Sequence, residues 1–231
     1  MPKPPTNDFQ GTEIEKIRRL FKTKAGKSLP SVSKMEAKDV REWFTRNMKM
    51  LASNVNVNKI MRDNPERLVP GNRISSRTLG MMMMWFYDPK HKKTLPYYDR
   101  LPVGFIVQLA PHGFYAINLH YLNPQDRMRL FAALIDIGGS RIGEQRRLLL
   151  TYRLLKGAAR TKLFRPCFKR YLANHVKSRF YIVPPDEWHI FLSLPNVERF
   201  EKGGGGNKGN FGGSISKYQI WSQSRKKADI S

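Results

Sequence analysis

Residues 12–62 carry apolar positions at helical intervals, whereas residues 81–119 carry them in short unbroken runs, so a helical segment is predicted ahead of a sheet. Thr12-Glu13-Ile14-Glu15 reads as a capping box, in which the Thr12 hydroxyl meets the Glu15 amide and the Glu15 carboxylate reaches back. Ile14, Ile17, Leu20 and Phe21 follow on one face, and Gly26 ends that helix. A second box, Ser33-Lys34-Met35-Glu36, opens a helix whose apolar face is Val40, Trp43, Phe44, Met48 and Leu51. A third short helix is expected from Asn56 to Arg62. Residues 1–11 carry three prolines and read as an extended arm, and residues 12–66 as a small helical unit.

Asn64-Pro65 to Gly71-Asn72 is turn chemistry, after which the period changes. The run Met81–Tyr87, bounded by Gly80 and Asp88-Pro89, has the length of a buried strand rather than a helix. Val103–Leu109 and Phe114–Leu119 are further strands, joined by the tight turn Pro111-His112-Gly113. Asn123-Pro124 opens a helix with Leu130, Phe131, Leu134 and Ile135 inward, stopped by Gly138-Gly139. Arg141–Lys156 and Thr161–Lys177 also read as helical, broken at Gly157 and bent at Pro166. Phe180–Val183 reads as a short strand, and Pro184-Pro185-Asp186-Glu187 as the start of a helix reaching Leu194. The expected fold is therefore α+β: a small curled antiparallel sheet, or an SH3-like barrel, with flanking basic helices over residues 67–200. Gly203–Gly206 through Gly212-Gly213 make residues 201–231 a flexible glycine-rich tail, ending in Ile220-Trp221 and Arg225-Lys226-Lys227.

Composition narrows what this fold is for. The 231 residues hold 42 Lys and Arg against 18 Asp and Glu, a net charge of +24. Solubility asks for a magnitude of only about 2–8 in a small domain. With 40% hydrophobic and 11% aromatic residues the chain can bury a core, so it is not a disordered polycation. Cys167 is the only cysteine, which excludes an internal disulfide and a cysteine-based zinc site. No run approaches the roughly 20 apolar residues of a membrane span, and Met1-Pro2-Lys3-Pro4-Pro5 lacks the apolar core of a signal peptide. The expectation is an intracellularly made protein that binds a polyanion and no membrane. Nucleic acid is favoured, because each neutralised phosphate releases counterions.

The charge is concentrated. Residues 141–180 hold twelve Lys and Arg against Glu144 alone, a net of +11. A merely solvated helix face carries compensating acids at four-residue spacing, and these are missing. Arg146, Arg147, Arg153, Arg160, Lys162, Arg165, Lys169 and Arg170 are therefore the candidate phosphate-binding residues, arginine being suited to gripping two phosphate oxygens at once. Arg146, Arg153 and Arg160 share a face if the helix continues past Gly157. Tyr152, Phe164, Phe168, Tyr171 and Phe180 interleave with them; such rings fill a core more often than they stack on bases. No phosphate-cradling glycine loop and no His-Glu-x-x-His motif is present, and His91, His112, His120, His175 and His189 are scattered. Pro185-Asp186-Glu187 resembles the start of a metal-nuclease site, but no Glu-x-Lys follows at a useful distance. No catalytic residue, metal or cofactor is expected.

Two segments stand out: Tyr87–Pro102, containing Tyr-Asp-Pro-Lys-His-Lys-Lys and Pro-Tyr-Tyr-Asp-Arg-Leu-Pro, and Gly113–Pro124, containing Gly-Phe-Tyr-Ala-Ile-Asn-Leu-His-Tyr. Together they resemble the central region of the DNA end protector (head-completion) proteins of large T-even-like contractile-tailed phages. The resemblance implies a non-enzymatic virion protein, assembled in the host cytoplasm, that binds the termini of packaged double-stranded DNA. It would shield them from host exonuclease and act in head completion beside other head, neck or tail proteins. Within the motif, Asp88-Pro89 and Leu95-Pro96 bracket a loop carrying His91, Lys92 and Lys93. Tyr97 and Tyr98 point to opposite sides of an extended chain, one inward and one toward a partner or phosphate, unless Pro-Tyr-Tyr-Asp is simply a packed turn. Asp99 either pairs with Arg100 or caps a turn, Asn118 and His120 face a lumen, a partner or water, and Trp221 is a docking residue. The alternatives are a neck, tail or baseplate connector whose basic face meets another virion subunit, an RNA-bound assembly protein of ribosomal type and, most distantly, a nuclease.

Overall fold

A computed structural model describes residues 57–123, 126–127, 130, 152–153, 155–157, 164–188, 191, 200–205, 216 and 219–223. The expected arm, the helices of residues 12–51, and most of the helical stretches over 123–139 and 141–162 lie outside the described residues. The third short helix is present as Val57–Asp63, and its end is held by Asn64, whose Nδ2 donates to the Ile60 carbonyl at 2.9 Å.

Seven strands follow among the described residues: β1 Met82–Met84, β2 Tyr97–Asp99, β3 Val103–Ala110, β4 Gly113–Asn118, β5 Phe168–Leu172, β6 Tyr181–Val183 and β7 Phe200–Lys202. Five make one antiparallel sheet in the order β5-β4-β3-β1-β6, and β2 pairs with β7 in a second. The run around β1 is unbroken because both faces of its strand are covered. Successive side chains of a strand point to opposite faces, so Met82 and Met84 join Phe105, Ile117 and Val183 in one core. Met83 and Trp85 join Ile106, Phe114 and Tyr171 in the other. The Trp85 ring meets Phe114, Tyr171 and Phe180 at 5.5, 5.0 and 5.6 Å between centroids. A bulge between Ile106 and Gln108 interrupts the β3–β4 ladder, and the two strands join through Pro111-His112, where His112 has φ +59°. Proline followed by a positive φ is the combination of a type II turn.

The α+β class and the small antiparallel sheet are as expected. The strand order is open, however, with β5 and β6 at its ends and no pairing between them among the described residues, so no closed barrel is formed there. The helix expected over Thr161–Lys177 is corrected. After a 3₁₀ turn at Arg165–Cys167 the chain runs extended as β5, five rungs in register with β4 from Ile117↔Phe168 to Gly113↔Leu172. Phe168 stacks on Tyr115 across the ladder, 4.9 Å apart and nearly parallel, and Tyr171 enters the second core. Pairing of this kind outweighs the weak helical preference of Lys, Arg and Leu.

Glu187 is fully buried and held in an ion pair. Its Oε2 accepts from Arg67 Nη1 at 2.6 Å, and the same nitrogen donates to the Tyr181 hydroxyl at 3.1 Å. The pair ties the turn before the sheet to edge strand β6, beside the bridge Leu68↔Tyr181.

Among the described residues of 201–231, those at 201–205 and 219–223 are held to the body. Beyond β7, Gly203, Gly204 and Gly205 donate backbone hydrogen bonds to the carbonyls of Pro96, Lys92 and Leu95 at 3.0, 2.9 and 3.1 Å. A Cβ at Gly203 would overlap the Leu95 carbonyl, so this strap lies against the loop in a way only glycine permits. At 219–223 a helical turn buries Ile220 and Trp221. Gly203→Ala is expected to cost about 2–3 kcal/mol, from backbone displacement and the hydrogen bonds it weakens. The urea midpoint measures this, and an unchanged midpoint would contradict the close packing.

Candidate nucleic-acid interface

The site is organised around a buried carboxylate. Asp99 ends β2 and is 4% exposed. Its Oδ1 accepts from the Leu101 amide at 3.0 Å, closing an Asx-type turn. Its Oδ2 accepts from Asn118 Nδ2 at 2.8 Å and from His120 Nδ1 at 2.7 Å. Asn118 also donates to the Tyr171 hydroxyl at 2.9 Å and accepts from the His120 amide at 2.9 Å. The Trp221 indole N–H donates to the His120 carbonyl at 2.9 Å, and the Arg127 guanidinium stands 5.5 Å from the Trp221 ring. This network joins β2, β4, β5 and the C-terminal helical turn. The His120 Nε2 has no hydrogen-bond partner among the described residues.

Of the two expectations for Asp99, turn capping holds and pairing with Arg100 is corrected: Arg100 Nη1 donates instead to Glu201 Oε1 at 2.7 Å. Asn118 and His120 face neither lumen nor water, being 0% and 1% exposed, because the network requires them inside. Tyr97 and Tyr98 are both buried, so neither stands out toward a partner. Tyr97 packs with Tyr121 and Phe200, and the Tyr98 hydroxyl donates to Glu201 Oε2 at 2.6 Å.

Above the network lies a cleft of about 480 Å³, reaching from the Pro89–Pro96 loop to β5. Its walls include Tyr87, Tyr97, Tyr98, Tyr121 and Tyr171. Lys90 and His91 line one side and strand β5 the other, where Lys169 supplies the charge. Lys169 Nζ stands 4.2 Å from the centre of the Tyr121 ring, a cation–π contact. Arg170 Nη2 donates to the Pro111 carbonyl at 3.2 Å. Burial pushes the hydroxyls of Tyr121 and Tyr171 well above the ordinary tyrosine range, and burial with the Glu201 hydrogen bond pushes Tyr98 up to about 12. The loop is braced by Asp88 and Lys92, 2.8 Å apart, whose hydrogen bond holds the Asp88 carboxyl below its usual value.

Among the predicted DNA-binding residues, Arg153, Arg165 and Arg170 are exposed and Lys169 is half-buried. Arg146, Arg147, Arg160 and Lys162 lie outside the described residues, so the shared face of Arg146, Arg153 and Arg160 does too. Lys156, Lys177 and Arg179 are also exposed. The structure brings Lys169 and Arg170 together with Lys90 and His91. Sequence reasoning saw the loop cations but did not place Tyr87, Tyr121 or Lys90 at a site. Their one signal was a cationic loop bracketed by prolines and followed by paired tyrosines. The interleaved aromatics are core, as expected: Tyr171 and Phe180 are buried, and Tyr152, Phe164 and Phe168 pack against the first core. Cys167 is buried, with its thiol pushed up to about 12 by desolvation, and is chemically quiet. Among the described residues no group of His, Cys, Asp or Glu is arranged to hold a metal ion, and no helix is long and apolar enough to cross a membrane.

No curated protein and no solved structure matches the chain. A family model does, over residues 9–212, spanning the sheet, the cleft and the basic stretch: it is that of the Phage T4 terminal DNA protecting protein, and the chain belongs to this family.

Proposed function

We propose that the protein grips the terminus of packaged double-stranded DNA without catalysing any reaction on it, and so denies an exonuclease its loading point. It does this in the phage particle, assembled in the host cytoplasm, as part of head completion beside other head, neck or tail proteins. One observation beyond the family carries the reading. Four acids of the described region are taken up by partners within the protein, Asp88 by Lys92, Asp99 by His120, Glu187 by Arg67 and Glu201 by Arg100, whereas Glu66 stands exposed beside Arg67. The exposed cations of residues 153–179 therefore face solvent with little acid to offset them, as phosphate binding requires. Arg146, Arg147, Arg153, Arg160, Lys162, Arg165, Lys169 and Arg170 are the residues assigned to phosphates, while Tyr97, Tyr98, Asp99, Asn118, His120 and Trp221 hold the scaffold. A salt titration on linear duplex tests this. With six or more phosphates neutralised, affinity is expected to fall on the order of a thousandfold between about 50 and about 200 mM salt. Linear DNA is expected to stay intact with magnesium and to resist added exonuclease. A salt-independent affinity, or digestion by the protein itself, would overturn the reading.

A further inference from the structure

The cleft joins two stretches of chain that the charge pattern alone keeps apart. Lys90 and His91 come from the proline-bracketed loop and Lys169 from edge strand β5, while Arg170, next along the strand, turns its guanidinium to the Pro111 carbonyl. Between these cationic lips the walls are tyrosine. The hydroxyls of Tyr98, Tyr121 and Tyr171 are held neutral by burial, so no phenolate repels an anion. The nearest acids are engaged: Asp88 by Lys92, Asp99 by three donors, and Glu201 by Arg100 and Tyr98. A volume of about 480 Å³ lies in the small-ligand range. It has room for one nucleotide and is far too small for a base-paired duplex. Cationic lips over aromatic walls are the means by which proteins hold unpaired nucleic acid.

We propose that this cleft receives a single unpaired terminal nucleotide of a DNA end, its base against the tyrosine walls and its phosphate between the lips. The assignment rests on the reading that the protein binds DNA termini. It adds what is recognised there: a frayed or overhanging nucleotide, which a continuous duplex does not present.

Two DNAs of equal length and sequence separate the ideas, a covalently closed double-stranded minicircle and the same duplex opened, with a short 5′-phosphorylated single-stranded extension. The protein is expected to bind the open form roughly tenfold more tightly. Leu95→Trp, which fills the cleft from a half-buried position without changing charge, is expected to bring the open form to the affinity of the minicircle. Lys90→Gln with His91→Gln, both exposed and outside the set assigned to duplex phosphates, is expected to cut the preference by at least about threefold and leave minicircle binding unchanged. A preference that survives both variants overturns the cleft assignment alone, and equal binding of the two DNAs by the unaltered protein overturns the terminus-binding reading together with it. Failure of the unaltered protein to bind either DNA overturns the terminus-binding reading itself.

Discussion

Asp99→Ala is expected to destabilise the protein by about 4 kcal/mol, the largest loss from any single truncation outside the apolar cores. Three donors converge on the carboxylate: the Leu101 amide, Asn118 Nδ2 and His120 Nδ1. Removing it leaves them aimed at a void, and each buried donor stranded this way costs about 1–3 kcal/mol. Asn118 retains the Tyr171 hydroxyl, and a water entering from the cleft can recover one contact, so the costs do not simply add. Asp99→Asn is expected to be intermediate, since one amide oxygen can still accept from Leu101 but the amide nitrogen then faces two donors. Urea unfolding of both variants gives the numbers. A double-mutant cycle with His120→Ala isolates the Asp99–His120 pair, with an expected coupling of about 1.5–3 kcal/mol. An Asp99→Ala loss below about 1 kcal/mol would mean that the carboxylate is not the centre of the network.

Glu187→Ala is expected to cost about 3 kcal/mol. Here the stranded group is charged: Arg67 directs Nη1 at Glu187 and Tyr181 together, across the end of the sheet. Burial works to lower the Arg67 pKa, but its contacts with Glu187 and Tyr181 outweigh that and raise it overall, so this partner sustains the charge. Breaking a buried ion pair by removing one member costs about 3–5 kcal/mol. The Arg67 side chain is 24% exposed and can turn partly into water, which places the loss at the low end. Replacing both residues by apolar ones of similar size is expected to recover much of it. Thermal and urea unfolding of the single and double replacements decide the point. A double replacement no more stable than Glu187→Ala would show that the pair holds more than its own two charges.

How much of this the residues announce depends on how local the cause is. The apolar run at Met81–Tyr87 and the Pro111-His112 turn carry their structure in adjacent residues, and β1, β3 and β4 lie where the pattern puts them. Strand β5 does not. Its Phe-Lys-Arg-Tyr-Leu suits a helix as well as a strand, and the β4 ladder decides, through partners such as Tyr115 on Phe168. The pairing of β2 with β7 leaves no local trace at all. The candidate site divides the same way. That cations crowd residues 141–180 is visible by counting, whereas the pairing of Asp99, Glu187 and Glu201 depends on contacts across the fold. Tyr97, Tyr98, Asp99, Asn118 and His120 stand out because they lie in the two segments that carry the family resemblance. Their roles as buried scaffold follow only once β2 lies beside the end of β4.

The β2–β7 pair has a kinetic side. Tyr98 and Glu201 are 103 positions apart, and bringing such distant points together from a free chain costs about 4 kcal/mol of loop-closure entropy. The β3–β4 hairpin, closed over Pro111-His112, bears almost none of that cost. Order of assembly follows from the difference: the hairpin and its neighbours form first and shorten the effective loop, and β7 with its glycine strap docks afterwards. In the native protein the same segment opens at lower free energy than the sheet, so its amides exchange sooner. The loop that carries Lys90 and His91 is thus the last wall of the cleft to be set in place. A chain stalled or cut before residue 200 would keep its sheet but leave the Pro89–Pro96 loop without the glycine strap that braces it.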